Sequence, residues 1–294
     1  FRMVWLILRL KVNIVHLTWP PRYGEFFTYL LRKRTVITMH DPLPHSSEDA
    51  WLNRFHRNVC FRLLDTFILL NDIQKKSFIE AYHMQHKRVA LSRLSAYTNL
   101  RNVQPQYPDI NNYVLFFGGI SSHKGVEYLC EAMDEVCKKH PDVKLVVAGK
   151  GNLYFDISKY DIFNDGHLVL LNHYLDDSVL VGLIRHSLFV VCPYIDATQS
   201  GVVMSSFALN KPVVATNVGA LPTMVKDGQY GTIVPPKNVS ALATAIEALI
   251  ESPQRVDAMM TNIERDYSDG DCSWSAIAQG IIDVYVDKLS AADK

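Results

Sequence analysis

The feature that most constrains this chain is an alternation, kept up over nearly its whole length, of short apolar runs and longer amphipathic stretches. Residues 13–18, 35–38 and 66–70 read as buried strands, separated by helical stretches over 24–32 and 49–64. A second series opens with a strand at 113–117, a helix at 126–139 and strands at 143–148 and 167–171. It continues through a helix at 177–185, strands at 188–193, 212–216 and 231–235, and an amphipathic helix at 239–251. Parallel strands need crossover connections, and helices are the usual crossover, so the pattern predicts an α/β fold with doubly wound parallel sheets. Residues 95–112, with Pro105, Pro108 and several Asn, interrupt the alternation and predict a linker. The expected organisation is two Rossmann-like domains facing a cleft, residues 1–104 and 105–272, with a closing helix in 273–294 bracing the first.

Open parallel sheets bind ligands beyond the carboxyl ends of their strands, where the strand order reverses. That rule points to the loops 118–125, 149–152, 172–174, 194–201 and 217–221, and in the first domain to 16–21 and 40–45. The stretch 193–217 is the most informative of them. It reads as a strand end, a small polar turn, a short helix and a second strand opening at Pro212. A helix start leaves backbone N–H groups without partners and carries partial positive charge, which suits a phosphate. The same spacing also fits an ordinary strand-to-helix turn capped by Ser200.

Composition narrows the partners. With 294 residues, 48% of them hydrophobic, the chain can bury two cores and has no tract suggesting disorder. Its zero net charge argues against a dedicated nucleic-acid binder. The zero hides an asymmetry: residues 1–110 hold 16 Lys and Arg against 8 Asp and Glu, and the remainder 14 against 22. The basic first part is expected either to face an anionic acceptor or an anionic membrane surface, or to be a solvated face. Cys60, Cys130, Cys137, Cys192 and Cys272 form no metal-spaced pair and fit reduced, core-filling thiols, the pattern of a cytoplasmic protein. The opening run of ten residues is too short to span a bilayer and is interrupted by Arg2 and Arg9. It starts without Met and reads as the inside of a helix, so the first domain is expected to be incomplete, truncated at its N-terminus.

The motifs Phe117-Gly-Gly-Ile-Ser-Ser-His-Lys-Gly125, Val147-Ala-Gly-Lys-Gly151, Pro193-Tyr194 with Ala197-Thr-Gln-Ser-Gly201, Lys211-Pro-Val-Val-Ala-Thr216 and Gly231-Thr-Ile-Val-Pro-Pro236 stand in one order along residues 111–290. Together they resemble the family 4 glycosyltransferases, of GT-B architecture, in the branch with Ala-Thr-Gln-Ser-Gly in its donor turn. The resemblance implies transfer of a hexose from a UDP- or GDP-sugar to a glycan or lipid-linked acceptor, with retention and without a metal or other cofactor. Nucleoside diphosphate departure builds negative charge that needs preorganised donors. Lys124 and the backbone N–H groups of Ser200, Gly201 and Val202 are expected to supply them, with Gly118 and Gly119 allowing close backbone approach. Asn172 follows the strand expected beneath the base, and Thr198 lies in the donor turn. Phe155, Tyr160 and Phe163 are open to base stacking or to packing. Asp176-Asp177 reads as a helix cap and first-turn acid, not a metal clamp.

The pattern also departs from the family. Gly119 stands where the family carries Arg, and Ala197 and Ser205 stand where it carries two glutamates. Asp196 is expected to take over the first acidic role, Gln199 to hydrogen-bond sugar hydroxyls, and Ser205 to reach the ribose. In the first domain the resemblance implies that His40, at a strand end in a turn with Asp41 and Pro42, lies by the donor sugar. His45, His16 and His123 are weaker candidates. The departures keep open a different class of function, a non-catalytic nucleotide-sugar-binding or scaffold protein. A phosphorylase or epimerase of the same fold would need a further basic cluster or converging acids.

Overall fold

A computed structural model describes residues 2–18, 25–40 and 51–292. The chain divides into two compact units, one comprising residues 1–94 and 274–294 and the other residues 95–273.

In the first unit, helix α1 (Arg2–Arg9) leads to strand β1 (Val15–Leu17), α2 (Glu25–Leu31), β2 (Thr35–Met39), α3 (Trp51–Leu63), β3 (Thr66–Leu69), α4 (Lys75–Ala81) and β4 (Arg88–Leu91). Its four strands are all parallel, in the order β1-β2-β3-β4. Side chains alternate across a sheet, and this one sorts them cleanly. Ile37, Met39, Phe67 and Leu69 point to one core with Phe61, Leu64 and Phe78 from the helices, where Phe61 meets Phe67 and Phe78 edge to face at 5.5 and 5.6 Å. Val36 and Ile68 point the other way.

The second unit adds β5 (Tyr113–Phe117), α5 (Val126–Lys139), β6 (Lys144–Ala148), α6 (Asp161–Asn164), β7 (Leu168–Leu171), α7 (Asp177–His186), β8 (Val190–Cys192), α8 (Gly201–Ala208), β9 (Val213–Thr216), α9 (Leu221–Val225), β10 (Gly231–Val234), α10 (Val239–Ile250) and α11 (Pro253–Ser268). Its parallel sheet runs β10-β9-β8-β5-β6-β7. All five residues of β5 are buried, as a strand covered on both faces requires. The strand order reverses between β5 and β8, so the crevice for a ligand opens between the loops that follow them. Asp176 is the N-cap residue of α7 by backbone conformation, and Asp177 is its first-turn acid. All five cysteines are buried and none forms a disulfide.

Helix α12 (Trp274–Ala292) returns to the first unit, where Val284 packs against Val36 and Ile68. Lys288, only 5% exposed, donates to the Asp65 carboxylate and to the Arg32 carbonyl, and Arg88 pairs with Asp287. His16 is held from both sides: Nδ1 meets Tyr285 Oη at 2.5 Å, and Nε2 meets Thr38 Oγ1 at 2.7 Å. Burial holds its pKa below the ordinary value.

The segment expected as a linker over residues 95–112 is not one in its first part. Its first part belongs to the second unit. Ser95 and Ala96 are fully buried, Ser95 Oγ donates to the Cys272 carbonyl at 2.6 Å, and Tyr97 N–H reaches the Met204 carbonyl. Arg101 fastens the segment, donating to the Ala208 carbonyl at 2.8 Å and to Ser268 Oγ at 3.2 Å. The join therefore falls at Leu94, not at residue 104, because these contacts are all made to α8, α11 and the turn after α11. Helices α4, α6, α9 and α11 and strand β4 are also elements the sequence pattern does not predict. Strand β4 opens with a charged residue and has no fully buried side chain, so it lacks the apolar run that marks a central strand.

Candidate functional site

The loops at the carboxyl ends of β5, β6, β8 and β9 are tied to one another by backbone contacts, which set the geometry of everything else there. Ile195 and Asp196 N–H both donate to the His123 carbonyl, at 2.9 and 3.4 Å, joining the loop after β5 to the turn after β8. One residue further along, Gly125 has φ +65°, and a β-carbon on it would stand 2.1 Å from the Pro193 carbonyl oxygen. On the other side of the turn, Ala220 N–H donates to the Thr198 carbonyl at 3.2 Å. Gly219, at φ +49°, brings its backbone so close to Ala197 that a β-carbon would lie 1.5 Å from that carbonyl oxygen. Asn172 Oδ1 accepts from Gly151 N–H at 3.0 Å and so links the loops after β7 and β6.

Helix α8 starts inside this frame. Ser200 is its N-cap residue, in extended conformation and 3% exposed, and its Oγ accepts from Val203 N–H at 3.3 Å. That bond satisfies the third helical N–H. The N–H groups of Ser200, Gly201 and Val202 are those that a helix start leaves without intrahelical acceptors, and Gly201 is exposed. The neighbouring helix start differs. At α5 the Tyr154 hydroxyl accepts from Val126 N–H at 3.2 Å and donates to Glu127, so that end is closed by side chains.

Lys124 completes the arrangement. Its Nζ stands 3.7 Å from the ring centroid of Tyr194, and burial pushes its pKa below the ordinary lysine value. Among the described residues no carboxylate pairs with it in a salt bridge. The Cys192 thiol below is pushed up to about 12 by burial, which keeps it neutral at ordinary pH. Two polar atoms are left in the turn itself. Gln199 Nε2 is buried with no hydrogen-bond partner among the described residues. Tyr194 Oη lies beside Ser200 Oγ and the Cys192 thiol without a well-directed hydrogen bond to either.

Among the expected site residues, Gly118, Lys124, Thr198, Gln199, Ser200, Gly201 and Val202 gather at this switch point. A β-carbon on Gly118 would sit 3.2 Å from a Val202 methyl, so the β5 loop lies against the first turn of α8. Gly119 and Asp196 are exposed. A β-carbon on Gly119 would find its nearest neighbour, the Lys150 carbonyl, at 3.8 Å, so sterics do not require glycine there. Ser205 is 9% exposed, in the second turn of α8. His123 is exposed, and Ser121 Oγ bonds its ring at 3.2 Å. Phe155 packs against Tyr154 and Tyr160, with ring centroids 5.1 and 5.8 Å apart. Phe163 is 44% exposed. His40 belongs to the first unit, half-buried just past β2. Asp41, Pro42 and His45 lie outside the described residues.

Two residues that the sequence reading left without a role are also at the site. Tyr97, from the stretch read as linker, puts its hydroxyl 3.3 Å from where a Gly201 β-carbon would be. Tyr194, in the turn after β8, supplies the surface beneath Lys124. An aromatic residue next to a strand-end proline was the available signal for the second; nothing local marks the first.

Residues 111–252 match the family model described as glycosyl transferases group 1. An uncharacterized glycosyltransferase of Methanocaldococcus jannaschii is 28% identical over 179 residues, covering 60% of this chain and 45% of that protein. The phosphatidyl-myo-inositol mannosyltransferase of Mycobacterium leprae is 28% identical over 193 residues, covering 64% of this chain and 50% of the other. The chain thus spans about half the length of these curated relatives. Among solved structures, Anabaena HepE in complex with UDP superposes with a TM-score of 0.74 at 18% identity, over 97% of this chain and 81% of that one. Sucrose-phosphate synthase from Thermosynechococcus elongatus gives 0.70 at 17% identity, over 98% and 77%. The two parallel sheets are thereby those of the GT-B fold.

Proposed function

We propose, from the premise that residues 111–252 of this chain are a domain of the glycosyl transferases group 1, that the protein transfers a sugar from a nucleotide-sugar donor whose diphosphate lies at the start of α8. The observation that carries this reading is that the Lys124 ammonium, with no carboxylate partner among the described residues, stands at the same switch point as the start of α8. A departing diphosphate gains negative charge as the bond to the sugar breaks. Fixed N–H groups and a half-buried ammonium stabilise that charge without reorganising. On this reading the site supplies its positive charge from the chain itself, so transfer proceeds without a metal. The relative of known structure bound to UDP supports a uridine nucleotide as the first donor to try.

The finer reading follows the resemblance. The donor is a UDP- or GDP-hexose, transfer retains the anomeric configuration, and the acceptor is a glycan or lipid-linked sugar met through the basic first unit. Gln199, with a buried amide donor unused, is the group we assign to a sugar hydroxyl. Gly119, Ala197 and Ser205 favour the second reading, a protein that binds the donor without turning it over. Calorimetry with UDP and GDP, without metal, on the wild type and Lys124→Ala tests the site. Micromolar binding weakened at least about tenfold by the substitution supports it, a loss of about 1.4 kcal/mol. Unchanged binding would remove Lys124 from the site. Release of free hexose or product from a bound UDP-hexose then separates transferase from binder.

Among the described residues no helix is long and apolar enough to cross a membrane.

A further inference from the structure

We propose that Tyr194 is a positioning residue: its ring face holds the Lys124 ammonium in place for the diphosphate, in the role a carboxylate would otherwise fill. This rests on the nucleotide reading of the same site.

The geometry is built from the backbone outward. The two residues belong to loops that are stitched together on either side of them, by Ile195 N–H to the His123 carbonyl and by the close approach of Gly125 to Pro193. Tyr194 cannot swing away. It is 0% exposed, and its carbonyl accepts a 2.5 Å hydrogen bond from Thr216 Oγ1 on the adjacent strand. With both backbones fixed, Lys124 Nζ is brought to 3.7 Å from the ring centroid, well inside the range at which a cation is drawn to an aromatic face.

The choice of partner has a chemical consequence. A carboxylate would hold the ammonium more strongly, but it would cancel the charge the ligand needs and would repel the incoming phosphates. A ring quadrupole attracts the cation and leaves its charge uncompensated. The tyrosine hydroxyl makes no well-directed hydrogen bond among the described residues, so the contact draws on the ring and not on the phenol. Burial alone would leave Lys124 mobile among rotamers; the ring selects one of them, so the ordering cost is met before the nucleotide arrives.

The test is UDP and GDP calorimetry on the wild type, Tyr194→Phe and Tyr194→Leu, each with Lys124 present and with Lys124→Ala. Tyr194→Phe keeps the ring and is expected to bind within about twofold of wild type, whereas Tyr194→Leu is expected to weaken binding about threefold to thirtyfold. That loss should vanish when Lys124 is already alanine. A loss from Tyr194→Leu that persists without Lys124 would make the residue a packing element and overturn the proposal, as would a Phe variant as weak as the Leu variant. If Tyr194→Leu does not fold, Tyr194→Met fills the space without an aromatic face and takes its place. The contact itself is read without nucleotide by NMR, as an upfield ring-current shift of the Lys124 ε-methylene that survives Tyr194→Phe and is lost in Tyr194→Leu. An unshifted methylene in a wild type that binds nucleotide overturns the Tyr194 role alone. A shifted methylene in a wild type that binds neither nucleotide overturns the nucleotide reading, and the positioning role with it.

Discussion

Replacing Gly219 and Gly228 by alanine, one at a time, measures how tightly the turn after β8 is wedged against the loop after β9. Both glycines are in the left-handed region, at φ +49° and +76°, so each alanine carries a similar conformational penalty of about 1 kcal/mol. Their surroundings differ completely. A β-carbon at Gly228 would meet nothing within 4 Å, whereas one at Gly219 would stand 1.5 Å from the Ala197 oxygen and 2.6 Å from its carbonyl carbon. Non-bonded carbon and oxygen approach to about 3.3 Å, so the turn or the loop must move by about 1.8 Å. That displacement breaks the Ala220 N–H to Thr198 carbonyl bond, worth about 1 kcal/mol, and adds backbone strain of similar size. Gly228→Ala is therefore expected to lower stability by about 1 kcal/mol and Gly219→Ala by about 3 kcal/mol. Urea denaturation of the two variants reads the difference directly. Because the moved turn carries Thr198 to Gly201, Gly219→Ala should also weaken UDP binding at least about tenfold, with Gly228→Ala unchanged. Equal stability and equal nucleotide affinity in the two variants would refute the packing of these loops and the site built on it.

Four further outcomes are expected. Below the ordinary histidine pKa of 6.5 the unfolded chain takes up a proton at His16 while the buried ring in the folded unit resists it. The stability His16 contributes is thus fully present above 6.5 and is lost as pH falls through its lowered folded value. Unfolding midpoints at about pH 8 and about pH 5 should show this slope in the wild type and a flatter one in His16→Gln. Arg101→Ala removes donors to the Ala208 carbonyl and Ser268 Oγ and should cost about 2 kcal/mol, measured by thermal melting. A polypeptide of residues 95–273 should also melt above one of residues 105–273. Gly119→Arg should leave the melting temperature unchanged, given the clearance at that position, and tighten UDP binding about threefold or more if the phosphates lie where proposed.

The central strands of the second unit were legible because burial on both faces demands an unbroken apolar run, and Tyr113–Phe117 and Val213–Thr216 supply one. The start of α8 was legible too, since Ser200 followed by Gly201 is a local cap signal. Strand β4 was not, because an edge strand with half-buried residues needs no such run. Residues 95–104 were misread for the opposite reason: Asn and the prolines beyond them look like a linker, although Ser95, Ala96 and Leu100 are buried. Composition does not record which surface will cover a segment.

The sequence by itself determined the alternation of strand and helix, the two runs of it, and the turn before α8 that is a candidate for phosphate, with Lys124 among the candidate residues. Those are properties of short windows, where hydrophobic period, caps and turn residues act between near neighbours. Only the tertiary structure decided that Tyr194 lies beneath Lys124, that Tyr97 borders Gly201, that Tyr154 closes the start of α5, and that His16 is spent on Tyr285 and Thr38. Each of these joins residues far apart in the chain, at distances set by strand order and loop packing rather than by anything written beside either partner.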